Sequence, residues 1–267
     1  MVTVIKIGGS LLSVEGSLEK LVNIIESESQ PCIVVHGGGP AVTSFCDKIG
    51  ITPRFVTSPG GIRSRYTDYE TIQAFTMVMK GRISSEIVTA LQRKGIRSAG
   101  ISGIDGPTLI AERKRKLVVL GENGRRYMME GGYTGRIVRT HLELLNSVLQ
   151  SGITPVVSPI ALGEGFEILN VDGDRAASAL AGAFRSDRMI LLTNVDGVIL
   201  DGKVVEQIRK DQLPGYIQRM GNGMDKKLMA AREALDNGCR MVVIMNGKLN
   251  EKGPELIEGS TGTVILS

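Results

Sequence analysis

The chain contains no tryptophan, and aromatic residues make up only 4% of its 267 positions. Aliphatic side chains must therefore fill whatever core it builds. Cysteine is scarce too: Cys32, Cys46 and Cys239 are widely spaced and odd in number, with no CxxC pair. That pattern argues against a disulfide framework and suits a reducing compartment. Cys32 sits in an apolar run and reads as a small buried hydrophobe. His36 and His141 are the sole histidines, so a Cys/His zinc site is not expected and no metal ligand is assigned. No apolar run reaches the ~18 residues needed to span a bilayer. The N-terminus lacks a charged-then-apolar leader pattern. A cytoplasmic location without a membrane partner is the expectation.

What is present is an ordinary globular composition, 42% hydrophobic and 22% charged. The length fits one large domain or two modest lobes around one sheet. Apolar runs at residues 2–7, 32–36, 98–101, 154–158, 189–193 and 241–245 read as strands buried on both faces. Helical patterns fill the gaps. Residues 17–28 carry Leu18, Leu21, Val22 and Ile25 at helical spacing. Thr67 to Glu70 reads as a capping box opening a helix that runs, with a break near Gly81, to Gly95. Thr140 to Glu143 reads as a second capping box, with Gly152 closing its helix, and residues 225–237 form another helix stopped by Gly238. Alternating strands and helices predict an α/β protein: a mostly parallel central sheet sandwiched by helices. Residues 108–130 differ. Short apolar pieces flank Glu122-Asn123-Gly124, which predicts a β-hairpin projecting from the sheet.

Net charge is +4, and the basic excess is uneven. Between Ala111 and Arg139 eight Lys/Arg face only three acids. This region is either a solvated hairpin or a surface for an acidic partner. Aromatics are scattered and there are no basic repeats, so a nucleic-acid partner is not expected.

Two glycine loops end early strands: Lys6-Ile7-Gly8-Gly9-Ser10 and His36-Gly37-Gly38-Gly39-Pro40. Glycines let the backbone approach an anion closely, Pro40 opens a helix, and Lys6 adds positive charge. Ligands collect at the carboxyl ends of parallel strands, so two such loops point to an anion-binding site. They are not P-loops, since GxxxxGK[ST] is absent, and neither a GxGxxG after the first strand nor the protein-kinase signature set is present. Three further segments carry polar turns: Asn170-Val171-Asp172-Gly173-Asp174, Leu192-Thr193-Asn194-Val195-Asp196-Gly197, and Gly221-Asn222-Gly223-Met224-Asp225-Lys226-Lys227.

In this order the five motifs resemble the amino-acid kinase family, from Lys6 to Thr261-Gly262-Thr263. Each motif alone is loose; five in order are specific. The resemblance implies the amino-acid kinase fold, ATP with Mg²⁺, and transfer of a phosphoryl group to a carboxylate. By this likeness Lys6 and Lys227 stabilise the transferring phosphoryl group, and Asp174 holds both ammonium groups. Lys227 is favoured over Lys226 because it takes the last place in G-M-x-x-K. Gly38 and Gly39 bind acceptor or transition-state oxygens, Arg65 pairs with a substrate carboxylate, and Asn170 hydrogen-bonds the acceptor. Gly8, Gly9, Thr193, Asn194 and Asp196 line the ATP site. Residues 1–158 are expected to hold the acceptor and residues 159–267 the nucleotide, within one continuous domain. A homodimer is implied as well.

The chain departs from the acetylglutamate kinases in three places: the longer segment 58–68 with Ser64-Arg65-Tyr66-Thr67, Asp172 in the N-x-D-G-D motif, and Glu130-Gly131-Gly132-Tyr133-Thr134-Gly135. These resemble the branch that acts on 2-aminoadipate or glutamate linked to the acidic carrier protein LysW. That likeness would give the basic region a partner. The competing readings are a kinase of free N-acetylglutamate and a nucleotide-binding sensor without catalysis. Retention of Lys6, Asp174 and Lys227 together disfavours the sensor.

Overall fold

A computed structural model describes residues 1–121, 123–221, 223–247 and 262–267. Glu122, Asn222 and Thr261, named in the motifs above, lie outside the described residues. Eight strands form the central sheet: β1 (Thr3–Ile7), β2 (Cys32–His36), β3 (Ser98–Ser102), β4 (Thr154–Ser158), β5 (Arg188–Thr193), β6 (Gln207–Arg209), β7 (Met241–Asn246) and β8 (Thr263–Leu266). Their order is β6-β8-β7-β5-β1-β2-β4-β3. Every pairing is parallel except β7 with β8.

Every residue of β1 and β2 is buried, as strands covered on both faces require. Alternate residues feed two separate cores. Val4, Ile33 and Val35 join Leu180, Leu191 and Leu228 on one face, while Ile5, Ile7 and Val34 join Leu21, Ile87 and Leu91 on the other. The first face is covered by the helices Gly173–Ala183 and Met224–Asp236, the second by Ser17–Ser27 and Ser84–Arg93. The sandwich expected from the sequence is thus present, and β1 at its centre carries Lys6. Among the described residues no helix is long and apolar enough to cross a membrane.

A second, four-stranded sheet contains Leu109–Arg113, Gly135–Thr140, Ile160–Gly163 and Ile168–Asn170. The hairpin Lys116–Leu120/Arg126–Glu130 is a two-stranded sheet of its own. It grows from the antiparallel pair Leu109–Arg113/Gly135–Thr140 of this second sheet rather than from the central one, and Gly124 (φ 73°) supplies its left-handed turn residue.

Both capping boxes are corrected. The helix Tyr69–Thr76 is capped by Asp68, whose carboxylate accepts the Thr71 amide. Thr67 stands one residue before that cap, with its hydroxyl accepting from Asn170 Nδ2 at 3.0 Å and its carbonyl accepting the Tyr133 amide at 2.6 Å. Thr140 is spent as the last residue of a strand, so the helix Glu143–Gln150 begins at Leu142 with no side-chain cap. The break expected near Gly81 is instead a π-helical stretch, Met77–Ile83, which widens the helix and continues into Ser84–Arg93. Gly95 (φ 76°) follows that helix, as expected.

Candidate active site

The site lies at the carboxyl ends of β1, β2 and β5, where a parallel sheet opens a crevice. Its centre is a buried carboxylate between two amines. Asp172 caps the helix Gly173–Ala183 by accepting the amides of Asp174 (3.0 Å) and Arg175 (3.1 Å). That cap fixes Asp174 in the first turn, 6% exposed. Lys6 Nζ stands 2.6 Å from Asp174 Oδ1 in a buried salt bridge. Lys227 Nζ donates to Oδ2 at 3.1 Å. Burial opposes ionisation of Asp174; Lys6 and then Lys227 outweigh it and hold the carboxyl well below the usual carboxylate range. Two ammonium groups share one carboxylate, which leaves a surplus of positive charge. The neighbouring Lys226 points elsewhere and donates to the Arg63 carbonyl at 3.0 Å.

The two glycine loops touch above this triad. Gly8 N donates to Leu192 O and Gly37 N to Ile7 O, which ties each loop to an adjacent strand. A Cβ on Gly9 would stand 2.5 Å from Gly38 N and 2.8 Å from Gly38 Cα, so the backbones meet only because Gly9 has no side chain. Among the described residues no acceptor meets the N–H of Gly38 or Gly39. Both lie at the start of the helix Gly39–Lys48, with Pro40 in its first turn, so free donors face the crevice.

Arg65 ends the short strand Arg63–Arg65, which pairs with Phe55–Thr57. Its Nη2 donates to Gly39 O (3.0 Å) and Thr43 Oγ1 (2.6 Å), and its guanidinium lies 4.9 Å from the Phe55 ring centroid. Nη1 is buried with no hydrogen-bond partner. A buried donor of this kind calls for an acceptor, and a carboxylate fits a guanidinium best. Asn170 Nδ2 donates to Thr67 Oγ1 at 3.0 Å. Thr193, Asn194 and Asp196 follow from the end of β5; Thr193 O accepts the Gly247 amide, and Asn246 donates to Asp196 at 2.6 Å.

The structure therefore brings Lys6, Asp174, Lys227, Gly8, Gly9, Gly38 and Gly39 into one cluster, with Arg65 tied to it through Gly39. Asn170 adjoins the 64–67 segment, and the residues 193–196 sit at the next strand end. Sequence reasoning missed three supports. Asp172 is the cap that aims Asp174. Tyr133 and Gly132 lock the 64–67 segment: a Cβ on Gly132 (φ 60°) would lie 2.2 Å from Thr67 O. Arg113 stacks 4.2 Å from the Tyr133 ring centroid and donates to Gly132 O at 2.6 Å. The glycine pair before Tyr133 was the available signal for that packing.

At the foot of the hairpin lies a cleft of about 500 Å³, lined by residues 113–116 and Arg136 together with Glu112, Glu164 and Glu167. Burial, then the nearby Arg175, pulls Lys114 below its ordinary pKa, while Asp172 works the other way. Lys114 thus lies within electrostatic reach of the helix that carries Asp174. Among the described residues no group of three His, Cys, Asp or Glu side chains is placed to hold a metal ion.

A crevice built from two glycine loops and a lysine–aspartate–lysine bridge on a parallel sheet suits the handling of phosphoryl groups. Residues 1–246 match the amino acid kinase family, and the chain belongs to that family. It is 41% identical over 263 residues to the [LysW]-aminoadipate/[LysW]-glutamate kinase of Sulfolobus acidocaldarius, covering 98% of this chain and 99% of that protein. Identity rises to 47% over 262 residues, 98% of each, with a Cenarchaeum symbiosum protein that carries the same name provisionally. Among solved structures, the N-acetylglutamate synthase of Neisseria gonorrhoeae shares the fold at a TM-score of 0.79 and 23% identity, over 100% of this chain and 59% of that one.

Proposed function

We propose that this chain transfers the γ-phosphoryl group of ATP to the distal carboxylate of 2-aminoadipate or glutamate linked through its amino group to an acidic, LysW-like carrier protein. The observation that carries the reading is the pair of lysines on one buried aspartate beneath free backbone donors. A carboxylate is already ionised at neutral pH, so no general base is required. Its oxygen attacks the γ-phosphorus, the bond from phosphorus to the ADP oxygen breaks, and an acyl phosphate and ADP result. The difficulty is bringing two anions together. Lys6, Lys227 and the amides of Gly38 and Gly39 answer it by neutralising charge as it develops. Asp174 keeps the two ammonium groups from repelling each other out of place. Arg65 takes a substrate carboxylate on Nη1, and Asn170 holds the acceptor. Gly8, Gly9, Thr193, Asn194 and Asp196 line the nucleotide side. With no carboxylate cluster among the described residues, Mg²⁺ would arrive on the triphosphate, where it neutralises phosphate charge.

Residues 1–158 would hold mainly acceptor and residues 159–267 mainly nucleotide, in one continuous domain whose second sheet draws strands from both sides of that boundary. The basic hairpin and the cleft at its foot would receive the carrier. Exposed Val118, Tyr127 and Met128 give that surface apolar contact in addition to charge. A homodimer is part of the same reading, and light scattering of the purified chain tests it.

The test of substrate class compares ADP release with carrier-linked aminoadipate or glutamate against release with free N-acetylglutamate. Turnover confined to the carrier-linked acid supports the reading. Equal or faster turnover of the free acetylated acid overturns it in favour of an acetylglutamate kinase.

A further inference from the structure

His36 ends β2 beneath the second glycine loop and is fully buried. Its two ring nitrogens are both engaged. Nδ1 lies 3.3 Å from Gly37 O, and Nε2 lies 2.9 Å from Ser158 Oγ at the end of the adjacent strand β4. Ser158 Oγ also lies 3.2 Å from Met79 O in the π-helical stretch, so its one hydroxyl proton can go to Met79 O or to Nε2. The side chains of that stretch also wall the loop. A Cβ on Gly38 would lie 2.3 Å from Ile83 Cδ1 and 2.4 Å from Met79 Sδ.

The protons can be assigned by asking which acceptor needs one. Burial, assisted by Lys6, lowers the His36 pKa to about 4, so the ring is neutral near pH 7 and carries a single N–H. Met79 O already accepts the Ser84 amide through the π-turn. Gly37 O meets no other donor among the described residues. A buried carbonyl without a donor is costly. The ring proton therefore belongs on Nδ1, donating to Gly37 O, while the Ser158 hydroxyl donates to Nε2.

Gly37 O and Gly38 N–H belong to one planar peptide unit, and no peptide among the described residues is cis. In a trans unit the C=O and N–H vectors point in opposite directions. Fixing the carbonyl inward, toward His36, fixes the Gly38 N–H outward toward the crevice. Gly38 has neither a Cβ nor an acceptor of its own to hold that orientation. We propose that His36 is a positioning residue: its Nδ1–H clamps the Gly37 carbonyl and so aims the Gly38 amide at the phosphoryl group in transit, while the Ser158 hydroxyl, donating to Nε2, holds the ring in that tautomer. The role rests on the kinase reading above.

The test uses two substitutions of different reach in the full-length chain. Asparagine at 36 places an amide N–H where Nδ1 was, and glutamine places one where Nε2 was. H36Q should lower kcat by about 10- to 100-fold, the scale of a misaimed transition-state donor. The KM for ATP and for the carrier-linked acid should stay within about 3-fold of wild type, because the donor acts mainly on the transition state. H36N should recover most of the lost kcat. Equal losses in both variants, or no loss in H36Q, overturn the proposal, as does a fall confined to KM. If either variant fails to fold, S158A carries the test. It frees the ring while leaving the loop sequence intact, and it should lower kcat with unchanged KM; unchanged kcat contradicts the clamp. A wild type inert with both the carrier-linked acid and free N-acetylglutamate would instead sink the kinase reading. The clamp is then read without substrate from the Gly38 amide resonance in nitrogen-15-labelled protein. H36Q should shift that resonance further than H36N, and equal or absent shifts overturn the clamp.

Discussion

Lys227 reaches Asp174 Oδ2 at 3.1 Å from a helix 53 positions further along the chain, while Lys6 reaches the other oxygen of the same carboxylate from the central strand. Two elements distant in sequence thus depend on one buried charge. Asp174→Asn keeps the shape and removes that charge, leaving two amines to repel each other. Breaking a buried ion pair by removing one partner costs about 3–5 kcal/mol, which a denaturant midpoint near pH 7 will register. The expected kcat loss is about 100-fold or more, from the misplaced lysines.

Asp174 also sets an acid limb. Its folded pKa is depressed, so the stabilisation it contributes is complete above the unfolded aspartate value of about 3.9 and disappears as pH falls from there toward the folded pKa. Urea midpoints of wild type and Asp174→Asn, measured from pH 7 downward, should converge below that value. A constant gap across the range would show that the variant loses packing rather than charge.

Lys226 and Lys227 are adjacent but face different partners. On the proposed reading Lys227→Ala removes a charge that neutralises the transferring phosphoryl group and should lower kcat by about 100-fold or more. Lys226→Ala removes an exposed contact to the Arg63 carbonyl and should change kcat by less than about 3-fold. The reverse ranking in steady-state assays would reassign the catalytic lysine.

Gly9 and Gly39 separate close packing from mere loop composition. A Cβ at Gly9 meets the backbone of Gly38, which has no flexible end to move aside, whereas a Cβ at Gly39 meets nothing within 4 Å. Gly9→Ala should destabilise by about 1–3 kcal/mol, the usual cost of overpacking, and Gly39→Ala by far less. Thermal unfolding of the two variants side by side checks this.

Arg125 and Arg126 lie on the hairpin away from Asp174. Reversing both to glutamate should raise the KM for the carrier-linked acid by about 10-fold or more at low salt, with the difference shrinking as salt screens it. The KM for ATP should not move. An unchanged carrier KM would leave the hairpin a solvated edge.

The sequence exposed six of the eight central strands, because strands buried on both faces are continuous apolar runs; Gln207–Arg209 and Thr263–Leu266 escaped it because they are short and alternate buried with less buried residues. Residues 32–36 and 154–158 were legible to the residue for that reason. The two capping boxes misled because a Thr-x-x-Glu pattern is local, while the fate of Thr67 and Thr140 is decided by Tyr133 and by a strand partner far away in sequence. The π-turn was invisible for a similar reason. Gly81 signals a weak point in a helix but not whether the chain breaks or widens there. Motif order led to Lys6, Asp174 and Lys227 as a set, whereas the Asp172 cap and the His36–Ser158 contact arise from tertiary geometry that spacing does not encode.

The most direct test of the account is to incubate the protein with ATP and carrier-bound 2-aminoadipate or glutamate and to weigh the intact carrier before and after adding hydroxylamine. An acyl phosphate predicts a carrier one phosphoryl group heavier that hydroxylamine converts to the hydroxamate, with one ADP formed per hydroxamate. A carrier of unchanged mass, together with hydroxamate formed from free N-acetylglutamate, would contradict the account.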